Sequence, residues 1–206
     1  MKHKRRGAAR PGPEARTGMT FDSARLGRLG LTQTAIDLLI QGLLNACTLK
    51  RNPEERNTPM LVLLGGIDKK VALGELALLR VCTAVYASDS FFRDAYQSDV
   101  HRALDRLLLP ALLDCGDDRI KGQPEKAMDE FNRRYPQYLE AIPLPNDLGP
   151  AANAGRVFAR LMGQESNEMV ALVGSTEFEG ALMGAKGFLG ELVALGGGEF
   201  VSLPPE

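Results

Sequence analysis

The chain has 206 residues, 44% apolar and 25% charged, with a formal net charge of −1. That length supports one domain with a substantial core, and the composition is ordinary for a globular protein. With no Trp and an aromatic content of 6%, the interior must be filled mainly by Leu and Ala, which favours helices over strands.

The charge is unevenly distributed. Residues 1–18 carry six cations, Lys2, Lys4, Arg5, Arg6, Arg10 and Arg16, against Glu14, while the remainder holds 19 basic and 25 acidic residues. A short basic arm is thus joined to an acidic body. The body disfavours broad binding to phosphate backbones, which relies on Lys and Arg. The arm is rich in Pro, Gly and Arg, cannot bury apolar surface, and is expected to be disordered in isolation. Three readings of it stand open: a vector- or annotation-derived segment preceding a start at Met19, a solvated tail, or an arm that folds on an anionic partner. In the last case Lys2, Lys4, Arg5, Arg6 and Arg10 are the candidate nucleic-acid contacts. The arm has no apolar h-region for secretion; an Arg-rich mitochondrial presequence stays open, although Pro11, Gly12 and Pro13 would break its amphipathic helix.

In chain order, Phe21–Leu31 alternates weakly and reads as a short strand or an extended entry. Thr32 or Thr34 then caps a helix to about Arg51, with Ile36, Leu39, Ile40, Leu43 and Cys47 on one face. Asn57-Thr58-Pro59 signals a short helix over 60–64, with a strand at 60–65 as its rival. Asp68 caps a nearly all-apolar helix, Lys69–Tyr86, whose only internal charges are Glu75 and Arg80. Ser88-Asp89 is expected to start a separate short helix bearing Phe91, Phe92 and Tyr96. A second apolar arm runs from Ser98 to Cys115, and Pro110 should kink it. Val71–Cys115 therefore reads as a buried helical hairpin at the centre of the fold.

Pro124 opens a more polar helix, Glu125–Arg134, followed by a turn over Pro136–Ile142. Residues 143–150 form the best linker candidate. A helix Ala151–Met162 follows, and 169–173 reads as strand or helix. Thr176 and Glu179 make a capping box for a last helix to about Leu195. Residues 199–203 form an extended tail. No apolar run approaches the roughly 20 residues of a membrane span.

Gly180, Gly184 and Gly187, with Gly190 nearby, share one face of that last helix. Each Gly costs about 1 kcal/mol relative to Ala in a helix interior, so such a face calls for close backbone approach. The approach is either to an earlier helix of the same chain or to a partner or second copy. Gly184-Ala185-Lys186-Gly187 lacks the ending and spacing of a phosphate loop.

Catalytic constellations are sparse. His101 has Asp105 one turn away, which could orient an imidazole as general base; the alternative is a helical charge network of Asp99, Arg102, Asp105 and Arg106. The Arg-to-His spacing of helical ribonucleases, the nucleophile elbow, the zincin motif and the dinucleotide fingerprint are all absent. Asp117-Asp118 and Glu165/Glu168 read as loop carboxylates. Arg133-Arg134-Tyr135 is a weak nucleic-acid signal beside Glu125, Asp129 and Glu130. Cys47, Cys82 and Cys115 include no close pair, arguing against a disulfide framework or a zinc site and for buried reduced thiols in a cytoplasmic setting.

The expectation is a mostly α, single-domain multi-helix bundle of about seven or eight helices, with short strands near 60–65, 169–173 and 199–203. The helical domain spans 19–198, with a sub-boundary at 143–150, between a basic arm (1–18) and a C-terminal tail (199–206). Functionally it reads as a non-enzymatic interaction protein, an adaptor or a subunit of a larger assembly, acting through Gly180, Gly184, Gly187 and Gly190. A protein partner or homo-oligomer is expected, with no cofactor, no metal and no membrane. The alternatives are a nucleic-acid-associated subunit using the arm and an enzyme centred on His101 and Asp105.

Overall fold

A computed structural model describes residues 30–48, 67–92, 96–115, 117–142 and 149–194. The basic arm, the entry segment up to residue 29, the short helix or strand at 60–65, the linker core at 143–148 and the extended tail lie outside the described residues. Within them the chain is helical: α1 (Gln33–Thr48), α2 (Lys69–Phe92), α3 (Gln97–Asp114), α4 (Pro124–Ala141), α5 (Gly149–Leu161) and α6 (Glu168–Ala194).

The helix starts follow their capping chemistry. Thr32 Oγ1 accepts from the Ala35 amide at 3.2 Å, and Asp68 Oδ1 accepts from the amides of Lys70 and Val71 at 2.8 and 3.0 Å. Each satisfies donors that a helix N-terminus leaves orphaned. The α6 cap is Asn167, whose Oδ1 accepts from Met169 N at 3.2 Å.

Three expectations are corrected. There are six helices among the described residues against seven or eight expected for the chain: the expected helix at 60–64 lies outside them, and two expected boundaries do not exist. Ser88 starts no new helix: its hydroxyl donates to the Ala84 carbonyl at 2.8 Å inside a continuous α2. Thr176 likewise donates to the Leu172 carbonyl at 2.9 Å inside α6, so the Thr176/Glu179 pair is no cap. The segment 169–173 is helix, with Val170 and Val173 buried on one side, and no strand occurs among the described residues.

The two prolines also lie within helices. Pro110 is inside α3, and α4 runs through Pro136 to Ala141 rather than turning there. Each proline, and the residue four before it (Arg106, Asn132), is solvent-exposed. The carbonyl that proline frees can be hydrated there, so the lost bond need not end the helix.

α2 is the axis of the fold. Leu76, Leu78, Leu79, Val81, Cys82, Ala84 and Ala87 are buried around its circumference, and α1, α3, α4 and α6 all pack on it. By length and composition Lys70–Phe92 is apolar enough to cross a membrane, contrary to the expectation that no run is, but 83% of its apolar window is buried inside the fold. α3 closes on α1 through Arg106, which donates to Asp37 Oδ2 at 2.6 Å, and through Gln33 Nε2, which donates to the Asp99 carbonyl at 3.0 Å. α5 and α6 form the most extensive helix pair. One continuous apolar cluster draws on all six helices.

Candidate functional site

The interior holds an ionic cluster built around Glu75. Its carboxylate accepts from Arg134 Nε at 3.0 and 2.8 Å and from the Tyr138 hydroxyl at the long limit of 3.5 Å. Arg119 lies 4.0 Å from the same carboxylate and is held by Asp117 through bonds of 2.8 and 2.6 Å. Glu75, Asp117, Arg134 and Tyr138 are all buried. Gly74 makes room for them: a Cβ there would lie 2.4 Å from Asp117 Oδ1. Burial pushes the Glu75 carboxyl upward in pKa, and the guanidinium groups of Arg134 and Arg119 pull it back. The second internal charge of α2, Arg80, pairs with Glu177 of α6.

This cluster fixes α4 and the loop before it against α2. Its charges pair with one another. Sequence alone carried half of the signal: two charges inside an apolar helix require partners. Nothing in the spacing said that Arg134, beside Arg133 and Tyr135, faces inward.

His101 meets a carboxylate other than the one one turn away. Its Nε2 lies 3.6 Å from Asp89 Oδ1, and Tyr135 donates to Asp89 Oδ2 at 3.1 Å. Asp89 Oδ1 is buried and accepts no hydrogen bond. In the expected charge network Arg102 pairs with Asp99, whereas Arg106 reaches across to Asp37 on α1. A cleft of about 470 Å³ between α5 and the start of α6 is lined by residues including Asn153, Arg156, Arg160, Glu165, Ser166 and Glu168. Two cations and two carboxylates face it, so it favours neither sign of ligand. Among the described residues no group of three or more His, Cys, Asp or Glu side chains is placed to hold a metal ion.

The three thiols are buried. Burial pushes Cys47 up to about 12 and Cys115 up to about 11, and Cys82 well above its ordinary value. Since the thiolate is the reactive form, none of them should be alkylated by iodoacetamide at pH 8 in the folded protein. All three should react in denaturant, and mass spectrometry of the intact chain counts them. Rapid labelling of the native protein would contradict this packing.

The glycines of α6 divide. A Cβ on Gly184 would meet the Ala46 carbonyl of α1 at 3.3 Å, whereas Gly180 and Gly187 have nothing within 4 Å. Gly190 lies in α6, and its surroundings are outside the described residues. The tightest helix approaches use other glycines. A Cβ on Gly155 would lie 2.1 Å from the Ala171 carbonyl oxygen, and one on Gly42 would lie 2.0 Å from the Phe188 ring.

The open glycines belong to a longer feature. Met169, Leu172, Thr176, Gly180, Met183 and Gly187 recur at intervals of three and four along α6, which places them on one stripe. Met169, Leu172 and Met183 are 52%, 50% and 66% exposed, and they account for half of the large apolar side chains exposed among the described residues. Glu168, Glu179 and Lys186 border the stripe along one edge, all exposed. The opposite side of α6 is buried against α1, α2 and α5. Sequence inspection found the glycines but not the stripe, because Met169 and Leu172 read as core when 169–173 is taken as an element of its own.

No family model, curated protein or solved structure matches this chain.

Proposed function

We propose that the protein is a non-enzymatic helical interaction protein that docks a partner through the outer stripe of α6. The observation that carries this reading is the exposed apolar line Met169, Leu172 and Met183 on a helix whose other side is packed. Single exposed apolar residues are commonplace, but three aligned on one helix face are a candidate binding surface. The open glycines at Gly180 and Gly187 flatten the stripe and let another backbone come close. The self-neutralised cluster at Glu75 and the sign-balanced cleft add no chemistry that would favour a reaction.

A photo-crosslinking residue at position 183 should trap a protein of discrete mass in the native cell. The same residue at exposed Lys126 of α4 should trap only background. Equal labelling from the two positions, or none from position 183, would sink this reading.

A further inference from the structure

Resting on the reading of α6 as a docking face, we infer that its occupant is a second copy of the same chain, with the two α6 helices antiparallel. The argument is the order of residues along the stripe. A two-fold interface must be self-complementary, each patch meeting its own copy. If Leu172 of one copy lies opposite Met183 of the other, the axis falls midway between residues 177 and 178. Leu172 and Met183 then meet at both ends, Met169 lies opposite Lys186, and Thr176 lies opposite Glu179.

The same register brings Glu168 to within one residue, about 1.5 Å along the axis, of Lys186 of the second copy. In an antiparallel pair, matching edges of the two stripes face each other. Glu168 and Lys186 lie on the same edge, so the two-fold makes two opposite-charge pairs. A parallel pair would instead bring opposite edges of the stripe together, so Glu168 would not meet Lys186, the one Lys or Arg of α6. The flanking charges therefore favour the antiparallel arrangement, in which Leu172 and Met183 also meet.

One contact opposes it. The two Glu179 side chains come near the axis, about 4.5 Å apart along it. The stripe from Met169 to Gly187 is about 27 Å long, and a single helix pair of that length buries area at the low end for a stable complex. The dimer is accordingly weak and concentration-dependent.

Sedimentation equilibrium on the full chain tests this, with helical content checked by circular dichroism. The weight-average mass should rise towards twice the protomer mass with concentration. Glu168→Lys and Lys186→Glu should each weaken association about tenfold, since each turns two attractive pairs repulsive. The two changes combined should restore it to within about threefold of the parent. Glu179→Gln should tighten it, and Met183→Arg should abolish it. A monomer at every concentration overturns the second-copy inference, and so does a dimer that the charge exchanges do not affect. If the crosslinker at position 183 still traps a different discrete protein while the chain sediments as a monomer, the second copy is refuted and the docking face stands.

Discussion

Replacing Arg134 with Met should lower the unfolding free energy by about 3–5 kcal/mol, the usual cost of removing one partner of a buried ion pair. For a chain of this size that is roughly a 10–15 °C fall in melting temperature. The loss comes from what remains: Glu75 stays buried with Arg119 at 4.0 Å as its nearest cation. The penalty should depend on pH. Burial already pushes the Glu75 carboxyl upward in pKa, and without Arg134 it rises further. A carboxyl whose folded pKa exceeds its unfolded one leaves the folded state unpenalised at acid pH and destabilises it as pH rises through the folded value. The Arg134→Met deficit should therefore be smaller near pH 5 than near pH 8. Adding Glu75→Leu should recover much of the loss, because removing both leaves no unpaired buried charge, only the Tyr138 hydroxyl without its long bond. Denaturant melts of the two variants at both pH values check this; equal deficits with and without Glu75 would show that Arg134 acts by packing alone.

Gly155→Ala should cost about 2–3 kcal/mol, at the upper end for overpacking by one methyl group. The new Cβ would lie 2.1 Å from Ser175 Oγ and 2.1 Å from the Ala171 carbonyl oxygen. A hydroxyl can rotate aside, but a helix carbonyl cannot, so α5 and α6 would have to separate along their whole shared face. Gly187→Ala is the same chemical change with the opposite sign. Nothing lies within 4 Å of Gly187, so it should gain about 0.5–1 kcal/mol from helix propensity and a less flexible unfolded chain. Denaturation melts of both variants at low protein concentration would test the pair. A neutral Gly155→Ala would mean that the α5–α6 approach is looser than described.

The contrast between those glycines shows how far the sequence could be read. Composition and periodicity were enough for a mostly helical fold with the hairpin Val71–Cys115 at its centre, because a helix apolar around nearly its whole circumference calls for burial on every side. Capping by Thr32 and Asp68 was legible, since a side-chain oxygen three residues ahead of a helical amide is a local interaction. Boundaries that depended on surroundings were not legible. Ser88 and Thr176 carry hydroxyls that can start a helix or bond back into one, and only packing chooses. Pro136 breaks a helix or is absorbed by it according to whether its outer face meets water. The glycine spacing drew attention to α6. It could not show that Gly184 faces α1 while Gly180 and Gly187 face outward, because a stripe of small residues looks the same packed or open. Arg134 was illegible for a related reason: Glu130 pairs with Arg133 at 2.7 Å and with Arg134 at 3.0 Å, and the run Arg133-Arg134 does not show which of the two cations turns inward.

The register of the α6 pair is the claim most directly open to measurement. The native thiols are buried, so introduced surface cysteines can be oxidised selectively. When Leu172→Cys protein is mixed with Met183→Cys protein under mild oxidation, a disulfide-linked dimer should form between the two variants. Each variant alone should give little, because its two cysteines sit about 16 Å apart along the paired helices. Absence of the mixed dimer, or equally rapid crosslinking within each variant, would contradict the antiparallel pairing of α6.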